Sequence, residues 1–192
     1  MKNTIKLILA TASVALLAAC GGGGGSQSTG TENNPLSKYA GTFSGCDGYH
    51  KRTTTIFSTV GSTQLTMSVQ MDVYENASCT GASLGTLRMP ASILATFLSS
   101  SAATVTGITS SSQLLTIDKI NVTAPASTST LTGSGVIGRC VYYTNGNLCF
   151  DTLINSATDA NAGFYLSGNT IYTLTVNGGT YKADDTALIR IN

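Results

Sequence analysis

The stretch TQLTMSVQMDVYE, residues Thr63 to Glu75, alternates from end to end. Leu65, Met67, Val69, Met71 and Val73 take one side; Thr66, Ser68, Gln70 and Asp72 take the other. A period of two held this long makes a β-strand with one buried face. A helix would scatter the same apolar residues around its whole surface. The methionine and valine stripe therefore reads as core, and the strand needs a sheet that closes over it.

Further strands are read, with less contrast, at Tyr39–Ser44, Lys51–Ser58, Thr128–Ile137, Arg139–Tyr143, Leu148–Ile154, Phe164–Leu166, Thr170–Val176 and Ala187–Ile191. Within Leu114–Val122 the apolar phase changes: Leu115 and Ile117 are odd, Ile120 and Val122 even. A bulge, or a corner between two sheets, permits that. Pro90–Leu98 is the one helix candidate, since proline is accepted in a first helical turn. Ile93, Phe97 and the nearby threonines favour a strand there. Asn145-Gly146, Ser167-Gly168-Asn169 and Asn177-Gly178-Gly179 signal tight turns. Many short strands joined by such turns predict an all-β domain. An antiparallel barrel is expected, with a β-sandwich as the alternative.

The first 19 residues have the layout of an export signal: Lys2 and Lys6, then an apolar run from Ile5 to Leu17, then Ala18 and Ala19. The run is shorter than the roughly 20 residues of a bilayer span. Leu17-Ala18-Ala19-Cys20 resembles the lipobox of bacterial lipoproteins. The resemblance implies that Cys20 is acylated on its thiol and becomes the first residue of the mature chain. Each buried acyl methylene contributes about 0.8 kcal/mol, so several chains on one residue hold a protein permanently. Gly21 stands where an aspartate retains some lipoproteins in the inner membrane; the resemblance thus implies the outer membrane. GGGGGSQSTGTENNP then reads as a flexible tether with a root-mean-square span of roughly 20–25 Å. The expected organisation is a signal peptide over 1–19, an acylated cysteine and tether over 20–37, and one β domain over 38–192.

Ten Lys and Arg against nine Asp and Glu leave the chain near neutrality, and two of the lysines lie in the signal. No basic patch for a nucleic acid is visible, so none is expected as a partner. Besides Cys20 the chain has Cys46, Cys79, Cys140 and Cys149. An even number in an exported chain predicts disulfides. Cys140 and Cys149 flank VYYTNGNL and face each other if Tyr143–Gly146 is a four-residue loop. A two-residue Asn145-Gly146 turn would set Tyr142 opposite Cys149 instead. Cys46 then pairs with Cys79. Loop entropy gives roughly 2.5–3 kcal/mol for the short closure and roughly 3.5–4 kcal/mol for the long one. The alternative is four free buried thiols. A zinc set lacks the paired close spacings, and His50 is the sole histidine; no metal or cofactor is expected.

Tyr39, Gly41, Thr42, Phe43 and Cys46 in the opening strand, with Glu75, Cys79 and Thr80 later, are similar to small proteobacterial lipoproteins that carry a tethered β domain. The opening Gly-x-aromatic strand also resembles the first strand of lipocalin-like barrels, with Phe43 where those carry tryptophan. The resemblance implies a barrel and no catalytic residue.

Candidate chemistry is sparse. His50 and Asp47 suggest a triad only if a serine in a strained turn joins them. Gly133-Ser134-Gly135-Val136-Ile137-Gly138 matches the dinucleotide fingerprint by letters, but a strand pattern follows where a helix is required. Asp184-Asp185 reads as a turn. Tyr142, Tyr143, Tyr165 and Tyr172 are the candidate ligand-binding residues, as aromatics at a barrel mouth or on a binding face. The expected function is a lipid-anchored, non-catalytic binding domain for a protein or a small apolar ligand. The alternatives are an inhibitor of an envelope-attacking enzyme such as lysozyme, and a hydrolase.

Overall fold

The computed structural model describes residues 34–192; the signal segment, Cys20 and most of the tether lie outside them. The strands are β1 Gly41–Cys46, β2 Lys51–Val60, β3 Gln64–Tyr74, β4 Ser83–Arg88, β5 Ile93–Thr106 and β6 Gln113–Ala124. Then come β7 Ser127–Thr128, β8 Thr130–Thr132, β9 Val136–Ile137, β10 Cys140–Tyr143, β11 Gly146–Cys149 and β12 Ile154–Asn155. β13 Thr158–Ser167, β14 Thr170–Asn177, β15 Thr180–Ala183 and β16 Leu188–Arg190 complete the chain.

Eight of these strands close an antiparallel barrel in sequence order: β1, β2, β3, β5, β6, β13, β14, β16 and back to β1. This is up-and-down connectivity, and closure leaves the ring without edges. The barrel reading therefore holds and the sandwich alternative falls. Inward positions follow the period of two. Phe43, Phe57, Leu65, Met67, Ala95, Ile120, Phe164, Ile171 and Leu188 form one buried cluster. Phe57 stands edge-on to both Phe43 and Phe164, at 5.4 and 5.7 Å between ring centroids, a favoured arrangement for aromatic pairs.

A smaller ring shares part of this wall. β15 pairs with the end of β14 on one side and, in parallel, with the end of β5 on the other. Strands β5, β6, β13, β14 and β15 thus enclose a second core of Val105, Ile117, Leu174, Tyr181 and Ala183. The phase change in Leu114–Val122 follows from this. Ile117 and Asp118 are both buried, at 1% and 2% exposure, on opposite faces of β6. Ile117 faces the small ring while Asp118 reaches the barrel plug. The register shift lies not in β6 but in its partner, between Phe97 and Ser99.

One end of the barrel is plugged. Leu36 and Tyr39, on a short 3-10 turn Ser37–Tyr39 and the residues before it, are buried in the main cluster. The Asn34 side-chain amide donates to the carbonyls of Gly61 and Gln64 at the β2–β3 turn. The folded body therefore begins before Lys38. Asn34–Ser37, assigned to the tether from sequence, belong to the domain because Leu36 fills the barrel end. Tyr39 is likewise not strand: its ring packs on Phe164 at 5.1 Å, and its hydroxyl donates to Asp118 Oδ2 at 2.5 Å. Lys38 Nζ lies 2.6 Å from the same oxygen, and Ser100 Oγ donates to the other. Burial pushes the Asp118 carboxyl up, but hydrogen bonds from Lys38, Ser100 and Tyr39 and the Lys38 charge hold it below the usual range. Burial, then the Asp118 hydrogen bond and charge, keep the Tyr39 phenol protonated far above its ordinary range.

Both disulfides form, Cys46–Cys79 and Cys140–Cys149. Cys140 faces Cys149 with Tyr143 opposite Gly146, so Thr144 and Asn145 alone are unpaired at the tip. The register is that of the Tyr143–Gly146 turn, not of an Asn145-Gly146 turn. Asn177 pairs with Thr180 around Gly178 and Gly179, at φ +55° and +85°, the left-handed pair that a two-residue hairpin turn demands. Thr128–Ile137 and Leu148–Ile154 are not continuous strands; each is broken into short pieces.

Candidate functional site

The buried cluster does not fill the whole barrel. Beyond Phe57 and Met67 its interior opens into a cavity of about 460 Å³, within the range of small-molecule sites. Alternation places the lining. Lys51, Thr53, Thr55 and Phe57 are the inward positions of β2, and Met67, Val69 and Met71 those of β3. They sit opposite one another in register as Thr53–Met71, Thr55–Val69 and Phe57–Met67. Ile93, Thr173 and Leu188 close the far wall. Asp184, Asp185 and Thr186, in the link from β15 to β16, form one lip of the mouth, and Lys51 and Thr53 contribute to the other. The hollow exists because β3 leaves β5 after Met67 and pairs with β4 from Gln70 onward. The wall parts there, between the end of the β3–β5 pairing at Met67 and the start of the β3–β4 pairing at Gln70.

The polar groups of this cavity are unevenly matched. Lys51 Nζ is 3.4 Å from Asp47 Oδ2. Asp184 accepts a hydrogen bond from the Thr173 hydroxyl. Neither Asp184 nor Asp185 has a cation at ion-pair distance among the described residues. Thr55 is 4% exposed and lines the cavity.

The four tyrosines do not meet at this mouth. Tyr165 and Tyr172 are cross-strand partners 5.9 Å apart and pack on the small ring's core. Period two turns them away from Phe164 and Ile171, so they face outside the barrel. Tyr142 and Tyr143 lie on the β10–β11 hairpin, Tyr142 at the surface. Tyr143 stacks on His50 at 3.9 Å. The expected shared aromatic site is thus two separate pairs, because β13–β14 and β10–β11 belong to different sheets.

His50 and Asp47 have structural duties. His50 takes a left-handed φ of +69° and its Nδ1 lies 3.1 Å from the Tyr74 carbonyl. Asp47 accepts from the backbone of Tyr49 and Lys51. Cys46, Asp47 and Cys79 also come together, but the two sulfurs are bonded to each other and offer no thiolate ligands. The Gly133–Gly138 run holds strand β9 and leads into β10, as the strand pattern requires.

The hairpin is latched to the barrel by Glu75, whose carboxylate accepts the Thr144 amide at 2.9 Å and the Thr144 hydroxyl. The Thr144 side-chain bond, then its backbone bond, and the nearby His50 hold the Glu75 carboxyl below its usual range. A depressed carboxyl stabilises the folded contact above the unfolded pKa, and that gain is lost as pH falls through the folded one. The Thr144 amide is therefore expected to exchange several-fold faster in acid, once intrinsic rates are corrected, and in Glu75→Ala at neutral pH. Hydrogen exchange reads this directly; unchanged protection in both cases would rule the latch out.

No protein-family profile, curated protein or solved structure matches this chain. The site reading therefore rests on the geometry alone. Sequence reasoning passed over the cavity residues, since Thr53, Thr55, Val69 and Met71 look like ordinary strand positions. The one local signal is KRTTTIF, where threonines occupy inward as well as outward places.

Proposed function

We propose that this chain is a lipid-anchored lipoprotein of the cell envelope whose barrel binds a small, largely apolar ligand without transforming it. The cavity carries the reading. A pocket with methionine, valine and isoleucine walls and a few threonine hydroxyls at its mouth has the make-up of a ligand site. Two disulfides fit an oxidising compartment, as export requires. The anchor and the outer-membrane location rest on Leu17–Cys20 and Gly21.

The fold also orients the site. Asn34 is held at the β2–β3 turn, while Lys51, at the opposite end of the ten-residue β2, stands at the mouth. At about 3.3 Å per residue, the tether joins the domain roughly 30 Å from the opening. In this reading the plugged end faces the lipid and the mouth faces away from it.

Isotope-labelled methionine methyls test the binding. Hexanol, a neutral apolar probe, is expected to shift Met67 and Met71 saturably in the full chain and to leave Met89, which is outside the cavity, unmoved. Val69→Trp fills the hollow and is expected to abolish the shifts while the melting temperature stays within a few degrees. Equal shifts at Met89, or none at Met67 and Met71, would defeat the proposal. The inhibitor reading draws on the exposed Tyr49, Ile137 and Tyr142, apolar side chains suited to a protein partner; undiminished lysozyme activity in the presence of the full chain would remove it.

A further inference from the structure

We infer that Asn177 is a self-modification site, where the β14–β15 turn converts the asparagine amide to an aspartyl or isoaspartyl carboxylate. The sequence holds two Asn-Gly steps, Asn145-Gly146 and Asn177-Gly178. In such a step the glycine nitrogen loses its proton and attacks the asparagine side-chain carbon. The new C–N bond closes a cyclic imide, and ammonia leaves. Water then opens the imide. Attack at the side-chain carbonyl gives aspartate; attack at the backbone carbonyl gives isoaspartate. The net change is one water in and one ammonia out, with no oxidation or reduction.

The fold treats the two steps differently. Asn177 ends β14 and pairs with Thr180, so Gly178 is the first of two turn residues. That position lies outside the ladder, and the Gly178 amide has no backbone acceptor among the described residues. Asn177, Gly178 and Gly179 are all exposed. Gly146, by contrast, is itself a ladder residue opposite Tyr143. The pair that closes a two-residue hairpin exchanges both backbone bonds, which engages the Gly146 amide. Glu75 also holds the adjacent Thr144. Thr180 supplies an independent observation. Its hydroxyl donates to the Asn177 carbonyl oxygen at 2.7 Å. When the Gly178 nitrogen loses its proton, negative charge spreads through the peptide group onto that oxygen. A donor already aimed there stabilises the anion, so Thr180 activates the attacking nitrogen. Isoaspartate then lengthens the main chain between β14 and its turn and breaks the Asn177–Thr180 pair. On its other side β15 is held to β5 only by Tyr181–Val105 and Lys182–Thr106, so the small ring loosens.

The full chain, disulfides intact, is held in warm, mildly alkaline heavy-oxygen water and then digested in acid. Mass spectrometry locates the label, and an isoaspartyl methyltransferase counts isoaspartate. Label is expected to enter at Asn177 several-fold faster than at Asn145. In denaturant with the disulfides reduced, the two rates should converge. Thr180→Val should slow Asn177 by about fivefold, the scale of one net hydrogen bond, and Thr180→Ser should keep the native rate. Neither variant should change the rates in denaturant. The Tyr181 and Lys182 amides should exchange faster in the isoaspartyl form, and at the native rate in Asn177→Asp, whose main chain keeps its length. Labelling of Asn145 as fast as Asn177 in the folded chain would overturn the site. An undiminished rate in Thr180→Val, or a rate that Thr180→Ser loses equally, would overturn the part given to Thr180. Unchanged exchange at Tyr181 and Lys182 in the isoaspartyl form would overturn the loosening of the small ring.

Discussion

Phe164→Ala is expected to destabilise the domain by about 3–5 kcal/mol, a fall in melting temperature of about 10 °C or more at this size. Phe164 is 2% exposed and its ring links the plug to the barrel's aromatic cluster. It packs on Tyr39 on one side and stands edge-on to Phe57 on the other. Truncation leaves a void between them, and it cannot collapse easily. Tyr39 is pinned by Asp118, and Phe57 is held against Phe43. Next to it lies the existing cavity, so the loss should also loosen the partition at Met67. Leu114→Ala is the control: Leu114 is 75% exposed, and surface changes of that kind stay within about 0.5 kcal/mol. Thermal melts with the disulfides intact measure both. A Phe164→Ala loss below about 1 kcal/mol would mean that the packed part of the barrel relaxes freely.

The same packing explains what the sequence discloses and what it hides. Strand β3 was legible because one face lies against a core along most of its length. The tight turns were legible because Gly178 and Gly179 need a left-handed backbone. Other strands carried no alternation to read. Ser99–Thr106 is rich in small residues because it closes the small ring. The start of β13, Thr158–Asn161, is exposed on both faces. Strand β4 is hidden by Gly85, where a Cβ would lie 2.5 Å from Val141 Cγ2. Glycine there serves the docked hairpin, a contact from a distant segment. The plug was missed because Leu36 is a single apolar residue in a polar stretch, and one residue has no period. The cavity is harder still. Val69 and Met71 continue the stripe that Leu65 and Met67 begin, and they differ only in what stands opposite. That is set by where β3 exchanges β5 for β4, which no local pattern encodes.

Lys38→Met is expected to destabilise the protein by about 3 kcal/mol at neutral pH, within the range for breaking a buried ion pair, and to do so less in acid. Lys38 is half exposed and returns to water at little cost, but Asp118 is 2% exposed and keeps its charge with only Tyr39 and Ser100 as donors. In the native protein the Asp118 carboxyl is held low. Its contribution is therefore complete above the unfolded pKa of about 3.9 and is lost as pH falls through the lower folded value. Without Lys38, burial is no longer outweighed, and the folded pKa rises above the unfolded one. The penalty is then full at neutral pH and disappears as pH falls through the raised value. The stability difference between native and Lys38→Met should accordingly narrow below about pH 5. Asp118→Asn in the Lys38→Met background removes the stranded charge and should recover much of the loss at neutral pH. Denaturant unfolding at neutral and mildly acid pH measures each arm. A Lys38→Met penalty independent of pH, and untouched by Asp118→Asn, would show that Lys38 contributes through the packing of its stem on Tyr39 and not through its charge, and the plug would then be an apolar stopper with an incidental ion pair.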